Sequence, residues 1–95
     1  MVNKAFSLNF PEIILPDEHT TQDQLDKIRD ELTEATADII FDRREDALHE
    51  CVDVLIAAET LYRLLVKRAG IEKVNMAISW VNDKNHKRGY YREAS

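Results

Sequence analysis

Glu31 and Glu34 lie three residues apart in ELTE, and Glu50 and Asp53 repeat that spacing in ECVD. On a helix, residues three apart hold their Cβ atoms about 5–6 Å from each other on one side. Two such pairs on neighbouring helices would gather four carboxylates around one small space. In low dielectric, four anions repel and raise one another's pKa values. A hard divalent cation removes that penalty, and an all-oxygen set suits Mg2+, with Mn2+ the alternative. Magnesium bound in this way commonly also meets substrate phosphates, so the pattern points to a phosphorylated substrate. For either pair alone, the solvated face of a charged helix is the simpler reading. Two pairs on consecutive helices shift the balance towards a shared site.

The elements that would position these residues follow from the apolar spacing. With successive residues about 100° apart around an axis, Leu25, Ile28, Leu32, Ala35 and Ile39 form one stripe of a first helix. Glu31 lies beside that stripe and Glu34 further round. Asp38 sits between them one turn later and reads as a solvated residue, with an auxiliary role at the site as the alternative. In a second helix the apolar arc runs through Leu48, Cys51, Leu55, Ala58, Tyr62 and Leu65, broadened by Val52, Val54 and Leu61. Glu50 flanks this arc and Asp53 is one step outside it, so both acidic pairs border a packing seam. Thr21 with Gln24 offers a capping box for the first helix near Thr21, and Thr20 with Asp23 offers a shifted one. That helix runs to about Phe41. Asp42 with Glu45 is the next cap, and the second helix reaches about Arg68, stopped by Gly70. A third helix carries Ile71, Val74, Ile78 and Val81 and ends near Gly89.

Three helices with short connections predict an all-α domain, a bundle of about three helices per chain over residues 21–91. Residues 1–20 read as an extended N-terminal arm: FSLNF alternates weakly, and Pro11 and Pro16 bracket EIIL. The second helix is apolar around about half its circumference, wider than the stripe of about 100° that one-sided burial needs. A three-helix monomer has few ways to cover that surface, so we expect a homodimer or homotetramer. The alternative is a monomer whose core the arm completes.

The chain has 95 residues and a formal charge of −5 with acidic and basic residues mixed, which argues against polymeric nucleic acid as a partner. A single cysteine, Cys51, excludes an internal disulfide and fits a reducing cytoplasmic setting. Cys51 falls inside the apolar arc and reads as a buried small hydrophobe. No stretch suits a membrane span, and the N-terminal residues lack a signal-peptide pattern. His19, His49 and His86 have no neighbours that complete a metal or nucleophile motif and read as surface.

WVNDKNHKRGYY concentrates Lys84, Lys87 and Arg88 with Asn82, Asn85, Trp80 and two tyrosines. Lysine and arginine here are suited to phosphate oxygens. Asn85 shares a face with Ile71, Val74 and Ile78, from which it can orient a ligand. A solvated helix end whose cations complement the macrodipole is the stronger reading of this segment alone.

DELTE at Asp30–Glu34, then ECVD at Glu50–Asp53 after fifteen intervening residues, resembles the MazG-like family of all-α nucleoside triphosphate pyrophosphohydrolases. The run VLIAAETLYRLL is similar to that family's apolar second helix, and KNHKRGYY is similar to the closing segment of its small members. Asp30 stands where the family often has glutamate. The resemblance covers about residues 21–91. It implies Mg2+-dependent hydrolysis of a nucleoside triphosphate between its α- and β-phosphates. It assigns Glu31, Glu34, Glu50 and Asp53 to the metal, and Lys84 and Arg88, with Asn85, to the substrate. Phosphoribosyl-ATP pyrophosphatase, from the same helical superfamily, and a catalytically silent helical interaction module are the alternative readings.

Overall fold

The computed structural model describes residues 10–92, among which there are three α-helices and no strand. The first, α1 (Thr21–Ile40), starts with a reciprocal cap. The Thr20 hydroxyl accepts from the Asp23 backbone N–H at 3.0 Å, and Asp23 Oδ2 accepts from the Thr20 N–H at 2.9 Å. Those bonds, the backbone one foremost, hold the Asp23 carboxyl below its usual value. The cap is thus the Thr20–Asp23 box, not Thr21–Gln24, because Gln24 turns inward as one of the most buried residues of the chain.

α2 (Arg44–Ala69) follows α1 after a turn of three residues. Asp42 adopts φ 55°, and its carboxylate bonds Arg44 Nε at 3.0 Å, so it does not cap α2. Arg43 closes the turn twice. Its N–H donates to the Asp38 carbonyl at 2.8 Å and its Nε to Asp38 Oδ1 at 2.9 Å. Asp38, expected to be solvated, is therefore buried and paired as the latch of the turn.

α1, the turn and α2 as far as Leu65 form one compact unit together with the described part of the arm. The helices run antiparallel, since Gln24 Nε2 donates to the Ala57 carbonyl while the later Glu31 meets the earlier Asp53. Their seam is not the expected apolar stripe. On α1 the buried row is Gln24, Glu31 and Asp38, seven residues apart, with Ile28 and Ala35 half-buried between them. On α2, Ala57 and Thr60 are buried, with Glu50, Val54, Leu61 and Leu64 half-buried. Leu25, Leu32 and Ile39, expected at the seam, are 39%, 49% and 70% exposed. Leu48, Val52, Leu55 and Leu65 of α2 are exposed as well, and so is Cys51, which corrects its reading as a buried hydrophobe. The physical reason is rotation: the helices turn their carboxylates towards each other, and the larger apolar side chains consequently face outward.

The arm packs on this unit. Phe10 donates its N–H to Glu59 Oε2 at 3.0 Å, and its carbonyl accepts from Arg63. Leu15 and His19 are half-buried, while Ile14 is fully exposed. All of FSLNF except Phe10 lies outside the described residues.

From Val66 onward the chain forms a second compact unit. Gly70 both ends α2, donating to the Val66 carbonyl at 3.0 Å, and starts α3 (Ile71–Lys87) by accepting from Val74 at 3.2 Å. Its φ of 87° is what makes glycine necessary there. Val74 is buried and Ile78 half-buried, whereas Ile71 and Val81 are exposed. After α3 the chain folds back through Tyr90 N–H to the Asn85 carbonyl at 3.0 Å.

The left-handed turn at Asp42 is tolerable for aspartate but not for a β-branched residue. Asp42→Gly should melt at the same temperature as the wild type or above it. Asp42→Val should lose about 1–2 kcal/mol in urea unfolding. Equal stability of the valine variant would show that the turn can abandon this conformation.

Candidate metal centre and its flanking cavity

The antiparallel hairpin brings all four sequence-selected carboxylates together. Glu31, Glu50 and Asp53 each present an oxygen, and these oxygens lie within 4.8 Å of one another. Glu34 joins them from the exposed side of α1, within hydrogen-bonding reach of both Glu31 and Glu50. Helical spacing explains the grouping: each pair sits on one side of its helix, one turn apart, and the seam apposes the two sides.

The electrostatics are those of crowded anions. Glu31 is only 7% exposed, and burial is the main force pushing its carboxyl upward. Lys27, with Nζ 3.6 Å from Oε1, pulls the other way, and Asp53 and Glu34 push upward again. Glu50 is pushed up to about 7, first by burial and then by Glu34, Glu31 and Asp53. Its Oε2 is shut off from solvent and meets no hydrogen-bond donor. Close carboxylates raise one another in this way.

A buried acceptor without a donor, inside an all-oxygen set with excess negative charge, fits a hard divalent cation. Carboxylates of Glu31, Glu50 and Asp53 would hold it directly, with Glu34 at the edge. Lys27 offsets part of the charge but is itself largely exposed.

Lys84, Asn85 and Arg88 belong to the second unit, grouped at the end of α3. Lys84 Nζ lies 5.0 Å from the Trp80 ring centroid, a cation–π contact. Asn85 is half-buried, and its Nδ2 donates to Tyr91 Oη at 3.1 Å. That hydroxyl in turn donates to Asn82 Oδ1 at 2.8 Å. Arg88 is exposed at the C-cap.

Sequence reasoning missed His19. Its N–H donates to the Pro16 carbonyl at 3.0 Å, and its Nε2 lies 2.9 Å from Gln24 Oε1. It lines a cavity that also reaches Glu31 and Asp53. No motif announces this role. The available signal was a histidine immediately before a helix cap, five residues ahead of a glutamine on the seam face. His49 and His86 are exposed, as expected.

Comparison with known proteins finds no matching family model, no matching curated protein and no matching solved structure.

The Glu50 shift fixes a sign. Its value rises from the ordinary 4.5 to about 7 in the folded chain, so folding favours the protonated form. The associated stability is complete below about pH 4.5 and is lost as pH rises through about 7. With a chelator present, the melting temperature should fall between about pH 5 and about pH 8, and Glu50→Gln should flatten that fall. A Glu50→Gln profile parallel to the wild type would assign the pH dependence to other groups.

Proposed function

We propose that the protein is a Mg2+-dependent nucleotide pyrophosphohydrolase, converting a nucleoside triphosphate to its monophosphate and pyrophosphate. The observation that carries this reading is the convergence of Glu31, Glu34, Glu50 and Asp53 around a buried, donor-less Glu50 oxygen. The order of the two acidic motifs, DELTE and then ECVD, supports the same class through its resemblance to MazG-like enzymes.

In the reaction, water adds to the α-phosphorus, the α–β bridging P–O bond breaks, and pyrophosphate leaves as the added water gives up a proton. A bound Mg2+ would neutralise phosphate charge and acidify a coordinated water. Glu31, Glu50 and Asp53 supply the anionic oxygens that fix its place, and Glu34 completes their charge. Lys84 and Arg88 are assigned to the phosphate oxygens on chemical grounds, lysine as a point charge and arginine as a fork. Asn85 is assigned to orienting the ligand, with its side chain steadied by Tyr91.

The same reading includes a homo-oligomer. Among the described residues the buried apolar side chains are only Ala57 and Val74, while Leu25, Leu32, Ile39, Leu48 and Leu55 are exposed. Chains of this size are marginal even with ordinary burial. A second copy, offering the same rows in return, covers them in the self-complementary manner of a two-fold interface. The wild type should sediment as a dimer or larger, and Leu32→Asp with Leu55→Asp should shift it towards a poorly stable monomer. A stable wild-type monomer at micromolar concentration would remove the oligomer.

The decisive assay is pyrophosphate release from a panel of ribo- and deoxynucleotides, with Mg2+ and with a chelator. Phosphoribosyl-ATP belongs in the panel. Activity should require the metal, and amide replacement of Glu31, Glu34, Glu50 or Asp53 should lower turnover by about a hundredfold or more, about 3 kcal/mol in barrier. Near wild-type rates in any two amide variants would refute the assignment. Absence of both metal binding and turnover would leave a helical interaction module.

A further inference from the structure

The carboxylate cluster opens on a cavity of about 490 Å3, built wholly within the unit that ends at Leu65. That volume falls in the range of roughly 300–1,000 Å3 typical of small-molecule sites. Its character changes from end to end. Glu31 and Asp53 belong to both the cluster and the cavity lining, with Lys27 paired to Glu31 beside them, so one end is charged and suited to metal-bound phosphate. Elsewhere Leu15 from the arm and Ile56 and Ala57 from α2 supply apolar wall, with His19 and Gln24 as hydrogen-bonding groups. A nucleotide has that same polarity: charged phosphates at one end, and at the other a flat base with apolar faces and a polar edge.

The hydrogen bonds around Gln24 have a forced direction. The Ala57 carbonyl can only accept, so the Gln24 amide must present Nε2 to it, at 2.9 Å. This turns Gln24 Oε1 towards His19 Nε2, 2.9 Å away, and an amide oxygen can only accept. His19 Nε2 therefore carries the proton. In the neutral ring Nδ1 is then an acceptor, and no group among the described residues bonds it. Gln24 is 4% exposed and cannot swing away freely, so a backbone carbonyl of α2 sets the tautomer of a histidine in the arm.

We infer that the cavity receives the base of the nucleotide whose phosphates the carboxylates hold, and that His19 reads that base by accepting a hydrogen bond from one of its N–H groups. The inference rests on the pyrophosphohydrolase reading above. Gln24 is a positioning residue, acting through His19. Leu15, Ile56 and Ala57 line the same cavity and offer apolar wall to the faces of a base. A site that hydrogen-bonds a particular edge rejects a base whose edge leaves the buried acceptor unpaired.

The test measures binding rather than turnover, with the non-hydrolysable α,β-imido triphosphates of adenosine, guanosine, cytidine and uridine in Mg2+. Inorganic tripolyphosphate is the control without a base. In the free wild type, histidine ring 15N NMR should find His19 as the Nε2–H tautomer. The favoured nucleotide should move the Nδ1 resonance, and tripolyphosphate should leave it in place. Gln24→Leu should let the tautomers mix. The wild type should prefer one base by about tenfold or more. His19→Phe, which keeps a ring against the wall, should level the four affinities while leaving tripolyphosphate unchanged. An unaltered base ranking in His19→Phe, or a wild-type Nδ1 shift reproduced by tripolyphosphate, would overturn the assignment of the cavity alone. Failure of tripolyphosphate and all four analogues to bind would overturn the pyrophosphohydrolase reading and this inference with it. The wild-type NMR decides the matter even if the phenylalanine variant does not fold.

Discussion

Mutual repulsion among Glu31, Glu34, Glu50 and Asp53 is the constraint around which the α1–α2 unit is organised. A helical hairpin ordinarily fills its seam with apolar side chains, because that is where burial stabilises it most. Here the α1 side of the seam offers Gln24, Glu31 and Asp38 at the positions that should be most apolar. Each is accommodated differently. Gln24 bonds a backbone carbonyl, and Asp38 is paired to Arg43. Glu31 has one largely exposed lysine, Lys27, 3.6 Å away and otherwise faces more carboxylate. The two ends of the row are satisfied within the chain, and the middle is left electrically open.

The outward apolar rows are the other half of the same arrangement. A helix of period 3.6 cannot turn Gln24, Glu31 and Asp38 inward and keep Leu25, Leu32 and Ile39 there too. Placing charge in the seam therefore displaces hydrophobic burial to another surface. Ala57 marks where the two helices come close enough for a small side chain to be buried, beside a glutamine amide that bonds its carbonyl. With Ala57 the one buried apolar residue described in this unit, the hairpin draws little stability from an apolar core of its own.

Helix number and extent were legible because the punctuation is strong at both ends, a Thr cap and a glycine at Gly70, whereas Asp42 read as a cap and is instead the left-handed residue of the turn. The acidic quartet was legible because the i, i+3 spacing survives any modest rotation of a helix. The rotation itself was not. Hydrophobic periodicity marks a face that avoids water but does not say whether the chain or something else covers it, so Leu32 was assigned to the seam that Glu31 occupies. Cys51 was misjudged for the same reason. Asp38 looked solvated because its partner, Arg43, lies beyond the end of the helix and meets it only when the turn closes. His19 was unreadable because its role depends on Gln24, which depends in turn on a carbonyl thirty-three residues further along the chain.

Two main-chain hydrogen bonds fasten Phe10 to α2, through Glu59 and Arg63 one helical turn apart. Both bonds use main-chain atoms of position 10, so they can form with any residue there that has an N–H. Residues 11–19 can then diverge between descendants of this chain without casting the arm loose. Leu15 and His19, which line the cavity, sit in that permissive stretch. The carboxylates, by contrast, stand on helices whose caps, turn and seam all constrain them. Substitution can thus alter the arm's side of the cavity while the carboxylates stay fixed, so the two walls are free to change by separate steps.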